Sequence, residues 1–141
     1  AGATIGIPND PSNGARALLV LADKGFIEVK DKNSVTTTVA DITKNDKKYK
    51  IQELDAASIP KAMPDLDIAV INANYALVAK LNPSKDSLLI ERNDNPFLNV
   101  FVTTKANEKD PRIAQLKKIY QSAENKKFIA DHFKGTITAG F

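Results

Sequence analysis

Pro8-Asn9-Asp10-Pro11-Ser12-Asn13-Gly14-Ala15-Arg16 lies between a short apolar strand, Ala3 to Ile7, and an amphipathic helix running to about Lys24. Proline and Asn/Asp side chains crowd its start, so the chain leaves the strand through a rigid turn. Ser12 or Asn13 then offers a side-chain acceptor to cap the helix, and Gly25 ends it. A helix N-terminus projects unpaired N–H groups and partial positive charge, which disfavours a cation there. Arg16 nevertheless falls in that first turn, three residues after Asn13, and this spacing puts both side chains on one face. Two readings stay open at this point. N–H groups, an amide and a guanidinium converging on one spot form a receptor for a carboxylate or phosphate. Alternatively, Arg16 is a solvated helix arginine beside a capping asparagine.

Downstream of that helix, Phe26 to Lys30 reads as a short strand, and Asp31 to Lys50 as a polar stretch with a β-prone run, Val35 to Val39. Tyr49 to Leu54 reads as a strand and Ala57 to Met63 as a short helix with an early Pro60. Leu66 to Ile71 is the clearest buried strand, a nearly continuous apolar run. Asn72 stands at its C-terminal end, before a helix from Tyr75 to Lys80 closed by Asn82-Pro83, and Leu88 to Glu91 is a further short strand. Strands alternating with helices predict an α/β fold, an open and mostly parallel sheet flanked by helices. Ligands of such sheets sit beyond the carboxyl ends of the strands, where Asn13 and Asn72 both lie.

A polar break, Arg92-Asn93-Asp94-Asn95-Pro96, is the expected interdomain crossing. Phe97 to Thr104 reads as a strand with Asn99 between apolar neighbours. Asparagine is depleted in strands, and a buried unsatisfied amide group costs about 1–3 kcal/mol. Asn99 is therefore either a site residue or turned outward by period-two alternation, although its same-face neighbours would be Phe97 and Phe101. Two helices follow. Asp110-Pro111 opens the first, with a stripe of Ile113, Leu116, Ile119 and Tyr120, and Ser122 opens the second, with Phe128, Ile129 and Phe133. Thr136 to Ala139 can add a strand. His132, the only histidine, reads as a packing or surface residue rather than a catalytic base.

The 141 residues suit one domain of ordinary size, and 43% hydrophobic content supports a core. Twenty basic and 17 acidic residues leave a charge of +3, with lysines scattered except in Lys44 to Lys50, which reads as a solvated loop. Only three tyrosines and six phenylalanines are present, so no basic face interleaved with aromatics is expected and nucleic acid is an unfavoured partner. The absence of cysteine excludes disulfides and thiolate sites. No apolar run reaches membrane-spanning length. The start, almost inside a strand, suggests a fragment or processed product. No phosphate loop, dinucleotide fingerprint, nucleophile elbow or metal-ligand spacing is visible, so no catalytic residue, metal or cofactor is expected. Neutral asparagines and one arginine at element ends suit holding a small zwitterion.

Three stretches in order, Ile7 to Leu18, Asp67 to Ala76 and Asn95 to Val100, closely resemble the methionine-binding lipoprotein family, the NlpA or MetQ lipoproteins that serve as substrate-binding proteins of methionine ABC importers. The resemblance covers essentially the whole chain. It implies a periplasmic-binding-protein-like fold of two lobes with methionine between them, an ABC permease as partner, and an envelope location with a lipid anchor. On matching positions, Arg16 would pair with the ligand carboxylate with help from Asn13, Asn72 and Asn99 would bond the α-amino and carboxylate groups, and Tyr75 is a further candidate. Family members carry an earlier segment and a lipid-modified cysteine that this chain lacks. Residues 3–92 would then be the second lobe and 93–141 the part returning to the first. The strand 97–104 would lack sheet neighbours, and its expected cover is the missing N-terminal half or a swapped second copy. The alternative is a surface lipoprotein or interaction module that no longer binds solute.

Overall fold

Strand β1, Thr4–Pro8, is the middle of a three-stranded parallel sheet, with residues 50–54 on one side and 68–69 on the other. The computed structural model describes residues 1–92, 96–97 and 99–141. They fall into two compact units, Ala1–Phe97 and Leu98–Phe141.

In the first unit, β1 pairs along its full length with β4, Lys50–Leu54, from Thr4 opposite Lys50 to Pro8 opposite Leu54. Its other edge pairs with β5, Ile68–Ala69, through Ile5 and Gly6. Helix α1, Pro11–Asp23, packs on this sheet through Ala17, Leu18, Leu21 and Ala22, against Ile5 and Ile7. Ile5 and Ile7 are wholly buried; burying a side chain of this kind contributes about 1.5–3 kcal/mol. The contact is close at the start of α1. A Cβ on Gly14 would lie 2.9 Å from the carbonyl oxygen of Pro8, so only glycine lets the helix follow so directly on the strand. Gly25, at φ +75°, ends α1.

A two-stranded antiparallel ribbon of β2, Glu28–Val29, and β3, Ile42–Lys44, completes the β-structure of this unit among the described residues. The β-prone run 35–39 forms no strand. Thr37 Oγ1 donates to the Ser34 carbonyl at 3.0 Å, and the Thr38 N–H and hydroxyl donate to Asp41 at 2.9 and 2.8 Å. These local bonds close turns in place of a ladder. The two Thr38 bonds, with Lys30, also hold the Asp41 carboxyl down at about 2, the Thr38 backbone N–H being the largest cause.

Helix α2, Ile59–Ala62, is shorter than expected and continues as a 3-10 turn, Met63–Asp65. The expected buried strand 66–71 is only the two-residue β5, and its residues are half-buried, because it lies at an edge with β1 as its one neighbour. Helix α3 is Ala73–Val78, starting before Tyr75. Asn82 does not merely end it: its side chain accepts from the Ser84 N–H at 3.0 Å and opens α4, Pro83–Asp86. Residues 88–91 make no strand. Leu88 is 97% exposed, and side-chain ion pairs to α1 hold the end of this segment instead of a ladder.

The second unit is helical. Asp110 caps α5, Pro111–Tyr120, and Ser122 caps α6, Ala123–Phe133, as their sequences predict. Phe101, Tyr120 and Phe141 form an aromatic cluster, with centroids 4.7 and 5.9 Å apart. The expected strands 97–104 and 136–139 do not form among the described residues. Val100 and Val102 are 75% and 88% exposed, so β-propensity there has no sheet to act on. His132 is exposed and stacks on Phe128, with ring centroids 5.2 Å apart.

Candidate functional site

Asp10, not Ser12 or Asn13, caps α1. Pro11 occupies the first helical position and has no N–H to offer, so the preceding carboxylate turns over the helix end and accepts the Asn13 N–H at 2.9 Å. Asn13 Nδ2 also donates to both Asp10 oxygens at 3.0 Å. The Asn13 backbone N–H, then its side-chain amide, holds the Asp10 carboxyl below its ordinary range. With the helix starting at Pro11, Arg16 stands in the second turn rather than the first.

The amide of Asn13 is thereby fixed. An ionised carboxylate only accepts, so Nδ2 faces Asp10 and Oδ1 faces the other way. Into that oxygen Asn72 Nδ2 donates at 2.7 Å. Asn72 starts α3, yet its side chain makes no cap bond and reaches across to α1 instead. Its own Oδ1 must then point away from Asn13, and it has no hydrogen-bond partner among the described residues. A carboxylate at one end of this relay thus leaves a carbonyl acceptor at the other.

Arg16 is half-buried and engaged. Its Nε donates to Glu91 Oε2 at 2.8 Å and its Nη2 to Glu91 Oε1, a bidentate pair. Hydrogen bonding to Glu91 raises the pKa of the guanidinium. The ring of Phe97 lies over it, 5.8 Å from the guanidinium carbon. Next to Glu91, Arg92 Nε approaches Asp23 Oδ1 at 3.4 Å, so two consecutive residues, 91 and 92, pair with α1 at positions 16 and 23.

At the start of α1, Asn13 and Arg16 each engage an anion of this chain, Asp10 on Asn13 and Glu91 on Arg16. The structure brings Asn13 and Asn72 together. Tyr75 is half-buried in the first turn of α3, and its hydroxyl makes no hydrogen bond among the described residues. Asn99, in the second unit, is exposed and outside regular structure, not set in a strand. Asn93 to Asn95 of the expected crossing, and Leu98, lie outside the described residues. Sequence reasoning missed Asp10 and Glu91. The Asp-Pro pair signalled the first; Glu91 lies 75 residues from Arg16 and carried no signal. An open apolar groove of about 340 Å³ lies elsewhere, in the second unit between α5 and α6, and includes none of the expected site residues. No group of three potential metal ligands occurs among the described residues.

Residues 1–141 match the NlpA lipoprotein family. A probable D-methionine-binding lipoprotein MetQ of Vibrio cholerae is 36% identical over 140 residues, which are 99% of this chain and 52% of that protein. An outer membrane lipoprotein of Mannheimia haemolytica is 38% identical, over 99% of this chain and 51% of its own. Among solved structures, a nutrient-binding protein from Burkholderia cenocepacia bound to methionine has a TM-score of 0.87 at 45% identity, covering 99% of this chain and 59% of that one. A periplasmic substrate-binding protein of an ABC transporter from Coxiella burnetii has a TM-score of 0.85 at 41% identity, covering 98% and 58%. The chain spans about half the length of the curated relatives it matches. Its parallel sheet flanked by helices is the α/β architecture of these periplasmic binding proteins. The chain belongs to the NlpA lipoprotein family.

Proposed function

We propose that this chain is the later part of the substrate-binding protein of an ABC importer, which takes L-methionine or a related amino acid between two lobes and delivers it to the permease. Residues 3–92 belong to the second lobe, and 93–141 return to the first. The observation that carries this reading is the likeness, at 45% identity over 99% of the chain, to a binding protein whose structure holds methionine. Arg16 takes the ligand carboxylate, Asn72 offers its Oδ1 to the α-ammonium, and Asn13 holds Asn72 in place. Asn99 and Tyr75 complete the proposed ligand set. No bond is made or broken, so the protein is not an enzyme. It works in the cell envelope under a lipid anchor, in keeping with relatives named as lipoproteins, and no described helix is long and apolar enough to cross a membrane.

Titration calorimetry on the two-lobed protein tests the reading. Arg16→Ala leaves the ligand carboxylate without its partner and costs about 2–5 kcal/mol, or roughly 30- to 4,000-fold in affinity. Unchanged methionine affinity refutes the role. The relatives named outer membrane lipoproteins favour a second reading, a surface lipoprotein that no longer binds solute. No heat and no thermal shift with any amino acid decides for it.

A further inference from the structure

Glu91 meets the guanidinium side-on, through Nε and Nη2. A guanidinium has five N–H donors arranged along two forks, and a side-on carboxylate uses one fork only. The end-on fork, formed by Nη1 and the outer N–H of Nη2, makes no hydrogen bond among the described residues. The guanidinium carbon lies over the Phe97 ring, 5.8 Å from its centroid. The side chains of Arg16 and Glu91 are 31% and 26% exposed, so their charges are only partly screened by water. Together they sum to zero.

Resting on the proposed role of Arg16, we infer that Glu91 sets the ligand specificity of this site: it orients the guanidinium by one edge, leaves the other for the ligand carboxylate, and cancels the arginine charge so that the pair suits a zwitterion rather than a simple carboxylate anion. An arginine without this partner presents a full positive charge. Such a site attracts any carboxylate and repels the ammonium that an amino acid carries beside its own. With Glu91 present, the carboxylate is held by directed hydrogen bonds, while the ammonium meets no net positive field. Discrimination comes from the repulsion lifted from the zwitterion as much as from any added attraction.

The probes are L-methionine and 4-(methylthio)butanoate, which is methionine without its amine. Both are titrated calorimetrically into the two-lobed protein and its Glu91→Gln, Glu91→Ala and Arg16→Ala variants, with the thermal midpoint measured for each. A unit charge acting on an ammonium several ångströms away through a partly screened site predicts that the preference for methionine falls roughly ten-fold or more in Glu91→Gln. The same fall in Glu91→Ala shows that it follows the charge and not the amide. A merely structural role for Glu91 lowers both affinities together and leaves their ratio unchanged, which overturns the inference. Loss of binding in Arg16→Ala with an unchanged ratio in both Glu91 variants overturns the Glu91 assignment alone. Full-strength methionine binding by Arg16→Ala overturns the site reading and this inference with it.

Discussion

Asn72 Nδ2 donates to Asn13 Oδ1 at 2.7 Å, tying the start of α3 to the start of α1 across 59 residues of sequence. The direction of that bond is fixed from the far side, where Asn13 donates to the Asp10 carboxylate. Replacing Asn72 with alanine removes one hydrogen bond in a half-buried place and should cost about 0.5–1.5 kcal/mol. Asn72→Asp should cost more than alanine, because it sets an anionic acceptor against the Asn13 oxygen. Urea denaturation of the two variants checks the order, and an aspartate variant as stable as wild type would mean that Asn13 faces the other way.

Asp10 gives a pH-dependent contribution. Its folded-state pKa is lowered from 3.8, chiefly by the Asn13 N–H, so its stabilisation is present above the unfolded value and is lost as pH falls through the folded one. At neutral pH, Asp10→Ala should lose about 1 kcal/mol as a missing helix cap. The gap between wild type and variant should narrow below pH 3.8. Denaturation midpoints measured from pH 7 downwards test this, and a gap that widens in acid contradicts it.

Gly14 reverses the usual rule for a helix interior. Alanine there would ordinarily gain about 0.5–1 kcal/mol over glycine. Here the added Cβ would sit 2.9 Å from the Pro8 carbonyl oxygen, a backbone atom that can move only with β1. Gly14→Ala should therefore destabilise by about 1–3 kcal/mol, as overpacking does. Since the shift would also move Asn13, the proposed function predicts that methionine affinity falls with it. A more stable Gly14→Ala protein would show that the helix start has room to spare.

How much of this was legible in the sequence depends on the range of the interaction. The strand, turn and helix of residues 4–23 could be read because their signals are local: a short apolar run, Asp-Pro, then an apolar stripe. The caps at Asp110 and Ser122 could be read for the same reason. The strands expected at 66–71, 88–91, 97–104 and 136–139 were over-read, because β-propensity states what a segment would do beside a neighbour and not whether it has one. Glu91 was out of reach for a related cause: an ion pair between residues 16 and 91 leaves no periodic trace. Asn99 was picked out by its apolar neighbours, and Val100 and Phe101, two of those neighbours, are exposed here.

Exposed apolar side chains in the second unit predict how residues 1–141 behave by themselves. Leu116, Ile119 and Phe128 are 44%, 61% and 57% exposed, on the stripes that the sequence marks as core. Surface of this kind seeks cover. Under the proposed function, the N-terminal half of the protein supplies it, or a second copy does. Sedimentation of residues 1–141 should show self-association that is suppressed when the N-terminal half is co-expressed. A monodisperse monomer with no bound partner counts against it.

Under the proposed function, Arg16 serves two carboxylates at once, one from the chain and one from the ligand. A crystal structure of the two-lobed protein with L-methionine tests it most directly. The expected result is the ligand carboxylate on the Nη1/Nη2 edge of Arg16, Glu91 still on the Nε/Nη2 edge, and the α-ammonium against Asn72 Oδ1. A methionine bound with its carboxylate remote from Arg16, or one that has displaced Glu91 from the guanidinium, would contradict it.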